Sequence, residues 1–224
     1  MPSVLCIGHR GAKGHRPENT LPSFEYALEI GCDWIELDVY LVAGELVVIH
    51  DKRVDRTTNG QGRVEELPLA YLRSLDAGDG ARIPTLIEVL DLVDDRCGVN
   101  VELKGKNTAQ AVSDVLASYH WSREHFLLSS FNHQELAKSD PRYPRGALFE
   151  GPTKNHWQQA EALNAWSVNF HLPHVTPALV KEAQLRGYKV LVYTVNEIND
   201  IQRMLNCNVD GIFSDYPDRV RQLI

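Results

Sequence analysis

The chain has 224 residues, of which 43% are hydrophobic, and this is enough for a sizeable core in a single domain. Its formal net charge of -7 opposes binding to nucleic acid and to anionic lipid, so a small ligand is the favoured partner. The four cysteines are scattered without a C-x-x-C pair, and the chain lacks signal-peptide features and long apolar runs. We therefore expect a soluble protein of the reducing cytoplasm.

The first predicted unit is a strand followed by a helix. Residues 4–8, "VLCIG", form a short apolar strand, and the helix lies within "PENTLPSFEYALEIG". Asn19 or Thr20 is a suitable N-cap, Pro22 is tolerated in the first turn, and Gly31 ends the helix.

Strand-like and helix-like segments alternate along the rest of the chain. "WIELDVY" and "ELVVIH" are strands joined by a tight link, and the polar residues 51–83 are interpreted as an insertion. Further strands are predicted at "VNVEL", "HFLLSS", "RGALFE", "AWSVNF", "KVLVYTV" and "DGIFS", with helix-like sequence between them. Because no G-x-G-x-x-G motif follows the first strand, this alternation favours a closed (β/α)8 TIM barrel over an open doubly wound sheet. We expect one domain over residues 1–224.

The segment "WIELDVY" carries two acids in an otherwise apolar strand. A period of two places Glu36 and Asp38 on the same face. In a sheet covered on both faces these acids are buried, and a buried acid pair needs a partner.

Other ionisable residues follow predicted strands. His9 and Arg10 follow the first strand, His50 ends "VVIH", and Glu102 and Lys104 lie on one face at the end of "VNVELK". In (β/α)8 barrels the chemistry takes place at the C-terminal ends of the strands. We therefore expect these five residues to join the acid pair.

The residue types in this group indicate phosphoryl chemistry. The carboxylates of Glu36, Asp38 and Glu102 are ligands that a hard divalent cation such as Mg²⁺ or Ca²⁺ prefers, and zinc is disfavoured. Two histidines can act as general acid and general base near neutral pH. An arginine fork and a lysine ammonium both suit a phosphate.

Structural interpretations compete with these roles. His9 alone can be a satisfied core histidine, and Lys104 can simply pair with a neighbouring acid. Asp215, before Tyr-Pro, and Asn196, after "VYTV", are interpreted as helix N-caps and kept out of the catalytic set. Three further histidines in loop-like sequence are expected at the surface: His15, His171 and His174.

Nine ordered segments resemble the glycerophosphodiester phosphodiesterase family: "GHRG", "PENT", "IELDV", "VVIHD", "RTTNGQG", "IPTLIEVL", "VNVELK", "VYTVN" and "DGIFSDYPD". The resemblance runs through nearly the whole chain. It implies a barrel with a short insertion after the second strand, and hydrolysis of a glycerophosphodiester to glycerol 3-phosphate and an alcohol. The implied roles are acid and base for His9 and His50, metal ligands for Glu36, Asp38 and Glu102, and phosphate contacts for Arg10 and Lys104.

Two aromatic residues complete the predicted substrate-binding set. Tyr193 stands where many family members have Trp before "TVN", and this departure leaves the preferred alcohol open. Phe131 of "SSFN" is expected to form another wall of the site.

The expected cofactor is one divalent cation, Mg²⁺ or Ca²⁺, and the expected partner is a small glycerophosphodiester, without nucleic acid or stable membrane association. The alternatives are a lysophospholipase D, a catalytically inactive phosphate-binding barrel and, last, a metal-dependent lyase acting on carbonyl compounds. The sequence leaves open which histidine is the acid, whether water or the glycerol 2-hydroxyl attacks, and whether the chain forms a homodimer.

Overall fold

The computed structural model describes residues 4–151 and 153–224. Eight parallel strands pair in the order β1-β2-β4-β5-β6-β7-β8-β9, and β9 returns to β1, so the sheet closes. The predicted (β/α)8 barrel is confirmed. The strands are β1 Leu5–Gly8, β2 Trp34–Val42, β3 Glu45–Val48, β4 Gly98–Leu103, β5 Phe126–Ser130, β6 Arg145–Phe149, β7 Ser167–His171, β8 Lys189–Tyr193 and β9 Gly211–Ser214.

Helices cover the outside of the barrel, and a large apolar core lies between them and the sheet. The helices are α1 Leu21–Ile30, α2 Leu69–Ser74, α3 Leu86–Val93, α4 Thr108–Ala117, α5 His133–Leu136, α6 His156–Ala162, α7 Pro177–Leu185, α8 Ile198–Asn206 and α9 Pro217–Arg221. None of the helices in the described ranges is both long and apolar enough to cross a membrane.

The first helix follows its predicted signals. It begins after Thr20, carries Pro22 in its first turn, and ends at Gly31, whose φ of 82° is left-handed. The Thr20 hydroxyl donates to the Pro17 carbonyl instead of capping the helix. Asn19, the other predicted cap, turns its side chain toward the barrel mouth.

One predicted strand lies outside the barrel. β2 continues beyond the barrel wall and turns at Ala43 and Gly44, both with positive φ, so that β3 runs back antiparallel to it. The Ile49 amide then donates to the Asp38 carbonyl, which brings the chain back to the barrel mouth at His50. His50 therefore reaches the mouth on the return arm of a hairpin, not at the end of a barrel strand.

The segment 51–83 adds no barrel strand. Although its composition is polar, several of its apolar side chains are buried together. Apolar side chains of this segment pack on those of β2, β3 and Ile49 and form a small second core, which we call the insertion core. Its buried residues are Tyr40, Val42, Val47, Ile49, Val54, Val64, Leu72, Leu75, Ala77 and Ile83. The organisation of the chain as one domain over residues 1–224 stays a prediction.

Candidate active site

Three carboxylates meet inside the barrel mouth. Glu36 and Asp38 lie on β2, and the register pairs Asp38 with Glu102 on β4. One oxygen of each side chain lies within 4.8 Å of the others, and Glu36 and Asp38 are buried. The period-two pattern thus gathers the acids as predicted.

This acid cluster is electrostatically unfavourable by itself. Burial, together with the charges of Asp38 and Glu102, raises the pKa of Glu36 well above its usual range. Burial and the charge of Asp38 also raise the pKa of Glu102 to about 7. A bound cation would relieve both repulsion and desolvation.

The acids are oriented in a way that fits a hard cation. The Arg10 amide donates to Glu36 Oε2 at 2.8 Å, and Asn19 Nδ2 donates to Asp38 Oδ2 at 2.9 Å. Asp38 Oδ1 is buried and has no hydrogen-bond partner within residues 4–151 and 153–224. Three carboxylates with a free buried oxygen form the oxygen-only donor set that Mg²⁺ or Ca²⁺ prefers.

Two cationic side chains line the same acids. Arg10 Nε lies 3.5 Å from Asp38 Oδ2, and Arg10 also donates to Glu18 Oε1 at 2.8 Å. Lys104 Nζ lies 2.8 Å from Glu102 Oε1 and 3.7 Å from Asp38 Oδ1. Although burial opposes it, the neighbouring carboxylates raise the pKa of both cations, which stay charged.

His9 follows β1 directly and is oriented by the end of β9. Its Nδ1 lies 2.6 Å from Asp215 Oδ1, and Asn196 Nδ2 donates to Asp215 Oδ2 at 2.9 Å. Although burial opposes it, the hydrogen bond to His9 lowers the pKa of Asp215 to about 2. Burial outweighs the carboxylate and lowers the pKa of His9, so its imidazole is neutral near pH 7.

The predicted capping roles of Asp215 and Asn196 are wrong. The residue before α9 is Tyr216, and the residue before α8 is Glu197. Asp215 turns to His9 because β9 pairs with β1, and this places the ends of the first and last strands side by side. Asn196 accepts from the Asp215 amide at 2.9 Å and fixes that turn.

His50 carries the same kind of partner as His9. Its Nδ1 lies 2.6 Å from Asp51 Oδ1. Burial lowers the pKa of His50, although the negative charge of Asp38 acts in the opposite direction. Both predicted histidines therefore bind a carboxylate through Nδ1, which leaves Nε2 for other chemistry.

Aromatic rings form one side of the mouth. Phe131, 43% exposed after β5, meets Tyr193 at the end of β8 edge to face, with ring centroids 5.8 Å apart. His9, Glu36, Glu102 and the two rings line a small pocket of about 30 Å³. All nine predicted site residues thus lie at this end of the barrel.

The three histidines predicted at the surface are exposed. His15 pairs with Asp218 at 2.7 Å, whereas His171 stacks on the Tyr193 ring at the rim of the mouth. Sequence reasoning missed Glu18 and Asn19, which lie in the segment "PENT" between β1 and α1. That segment was part of the family resemblance, but the sequence rules for helix ends indicated only a helix N-cap there.

Comparisons with known proteins agree with this geometry. The model of the glycerophosphoryl diester phosphodiesterase family matches residues 9–219. A glycerophosphodiester phosphodiesterase from Caldanaerobacter subterraneus is 37% identical over 99% of this chain and 98% of its own length.

Solved structures are similar over the same span. An Oleispira antarctica phosphodiesterase in complex with the product sn-glycerol-3-phosphate has a TM-score of 0.91 and 33% identity, covering 96% of this chain and 94% of that one. A glycerophosphodiester phosphodiesterase from Agrobacterium tumefaciens has a TM-score of 0.85 and 28% identity, covering 99% of this chain and 100% of that one. This chain belongs to the glycerophosphoryl diester phosphodiesterase family and is a phosphoric diester hydrolase.

Proposed function

We propose that the protein hydrolyses glycerophosphodiesters to glycerol 3-phosphate and an alcohol, with a divalent cation as cofactor and two histidines as acid and base. The observation that carries this proposal is the convergence of three parts at one end of the barrel. An acid cluster, two cations and two carboxylate-paired histidines lie together there.

Glu36, Asp38 and Glu102 would hold the cation, Mg²⁺ or Ca²⁺. When bound, it supplies Lewis-acid polarisation of a phosphate oxygen. Arg10 and Lys104 neutralise the remaining phosphate charge, the first as a fork and the second as a point charge.

His9 and His50 handle the protons through Nε2, because Nδ1 of each ring is held by an aspartate at 2.6 Å. One takes a proton from the attacking oxygen, and the other gives one to the departing alcohol. The attacking group is water or the glycerol 2-hydroxyl, and effective molarity favours the internal hydroxyl.

The pocket supports a small polar substrate. Asn100 and Ser129 line it from the barrel interior, and Asn100 Oδ1 and Ser129 Oγ are buried without a partner among the described residues. Glycerol hydroxyls would satisfy these two polar atoms. Phe131 and Tyr193 then face the alcohol with rings that fit many headgroups, so the headgroup matters little.

The setting proposed for this reaction is the cytoplasm. All four cysteines are buried and free, as in proteins of a reducing compartment. The negative charge of the chain disfavours nucleic acid as a substrate, and we expect no stable membrane association.

A substrate panel with chelation and cation add-back tests the proposal. Glycerophosphocholine and glycerophosphoethanolamine should release glycerol 3-phosphate, stop with chelator and recover with Mg²⁺ or Ca²⁺. His9→Ala should lose most of this activity. His15→Ala, which replaces a surface histidine, is its control and should keep parent activity. Faster cleavage of lysophospholipids would favour a lysophospholipase D, and no turnover of any phosphodiester would favour an inactive barrel.

A further inference from the structure

Arg56, from the segment "RTTNGQG" after β3, reaches two acids at the edge of the barrel mouth. Its Nε and Nη2 donate to Asp51 Oδ2 and Oδ1 at 2.6 and 3.1 Å. Its Nη1 and Nη2 donate to Glu18 Oε2 and Oε1 at 2.9 and 2.7 Å. One guanidinium therefore forms a two-bond fork with each of two carboxylates.

Each of these acids has a second partner in the proposed machinery. Asp51 Oδ1 binds His50 Nδ1, and Glu18 Oε1 accepts from Arg10 Nη1 at 2.8 Å. The chain of contacts thus runs from a proposed proton-transfer residue, through Arg56, to a proposed phosphate contact.

The backbone around Arg56 is fixed independently of these contacts. Val54 is fully buried in the insertion core, and its amide donates to the Gly62 carbonyl at 3.0 Å. The Thr58 hydroxyl donates to the Val54 carbonyl at 2.8 Å and closes the turn that carries Arg56. The insertion core therefore fixes the turn from which the Arg56 side chain extends.

We infer that Arg56 is a positioning residue that orients His50 through Asp51 and Arg10 through Glu18. The inference rests on the proposed function, because the value of both orientations depends on phosphodiester chemistry. It also assigns a role to the insertion, which places one side chain where it reaches both the hairpin arm and the β1–α1 loop.

An isolated ion pair on the surface would not hold two other side chains in place, since such pairs contribute little to stability. Here Glu18 is nearly buried, and although burial opposes it, the hydrogen bonds from Arg56 and Arg10 lower its pKa to about 2. The hydrogen bond from Arg56 also lowers the pKa of Asp51. Both acids are thus kept ionised and acceptor-only, which fixes the direction of their bonds to His50 and Arg10.

Steady-state kinetics on glycerophosphocholine test the inference. Arg56→Gln should lower kcat/KM by about 10- to 100-fold, as loss of an orienting partner or a small misplacement does elsewhere. Both constants should change, because His50 affects kcat and Arg10 affects KM. Arg56→Lys keeps the charge but cannot form two forks, so its loss should be smaller.

Arg53→Gln is the matched control. Arg53 lies three residues before Arg56 and is more exposed. It pairs with Asp55 at 3.0 Å, away from the acids that Arg56 binds. It should keep parent activity. If Arg56→Gln does not fold, Arg56→Lys carries the test.

NMR of the imidazole N–H protons gives a readout that general destabilisation does not. His9 and His50 each have Nδ1 2.6 Å from an aspartate. The aspartate of His50 accepts hydrogen bonds from Arg56, whereas the aspartate of His9 accepts one from Asn196. The His50 Nδ1–H signal should weaken or shift in the Arg56 variants while the His9 signal stays.

Parent activity in Arg56→Gln and Arg56→Lys, an equal loss in Arg53→Gln, or equal changes at both histidines would overturn the inference. Absence of phosphodiester turnover in the parent protein would instead refute the proposed function. The NMR comparison would still report on positioning in that case.

Discussion

Replacing Asp215 by Asn tests how His9 is held, because it removes one charge and changes almost no volume. Asp215 accepts from His9 through Oδ1 and from Asn196 Nδ2 through Oδ2. An amide has only one acceptor oxygen, so Asp215→Asn can satisfy only one of these two donors.

The surroundings decide which donor the new amide satisfies. The Asn196 side chain cannot simply rotate, because its Oδ1 accepts from the Asp215 amide at 2.9 Å and from the Ser214 hydroxyl at 3.3 Å. The introduced oxygen should therefore face Asn196, and the introduced NH₂ should face His9 Nδ1. This moves the ring proton of His9 to Nε2, which is the wrong tautomer for a base acting through Nε2.

The expected loss follows from this tautomer change. Removing a general acid or base costs about 10² to 10⁴ in rate, and the equivalent substitution in Ser-His-Asp triads costs about 10⁴ in kcat. Asp215→Asn should therefore lower kcat by about 10²- to 10⁴-fold at an unchanged melting temperature.

A second substitution can restore the tautomer. Adding Asn196→Asp replaces the donor beside the new amide by an acceptor. The amide should then flip, so that its NH₂ donates to the introduced carboxylate and its oxygen accepts from His9 Nδ1. Steady-state assays should show the double variant regaining much of the activity lost in Asp215→Asn. Parent activity in Asp215→Asn, or a double variant no faster than the single one, would refute this reasoning.

Three further predictions concern the cation, the protons and the fold. Because burial raises the pKa of Glu102 to about 7, protons compete with the cation, and Mg²⁺ affinity measured by calorimetry should rise from about pH 6 to about pH 8; a flat profile would contradict this. His9→Ala and His50→Ala should each cost about 10² to 10⁴ in rate, and an acidic phenol leaving group should rescue only the variant that lacks the general acid; equal rescue of both would remove the assignment. Gly98→Ala would place a methyl group against the Trp34 indole and should cost about 1–3 kcal/mol in denaturant unfolding, whereas an unchanged midpoint would count against the packing.

The fold was predictable because its signals are local and repeated. Parallel strands covered on both faces are nearly continuous apolar runs, and glycine and capping residues separate them from the helices. β3 was also recognised as a strand, but its pairing was not, since an apolar run of four residues is the same in a barrel and in a hairpin arm. The insertion core was missed for a related reason, because its apolar residues are spread through polar sequence without a period.

The acid cluster was predictable from a period and a topology. Alternation placed Glu36 and Asp38 on one face, and the barrel rule placed Glu102 at the same end. Long-range charge contacts were not predictable in this way. The sequence around Arg56 does not indicate that its guanidinium contacts Glu18, because that contact depends on where the insertion core places the turn.

Asp215 lies between these two cases. Before Tyr-Pro it satisfies the local rule for a helix cap, and local rules alone favoured that role. Closure of the barrel predicts a different role, because β9 must then lie beside β1. The residue after β9 therefore contacts the residue after β1. Those residues are Asp215 and His9, and an acid beside a largely buried imidazole pairs with it more favourably than it caps an exposed helix end. In a closed barrel, the polar residues that follow the first and last strands are therefore better interpreted as a pair than as separate caps.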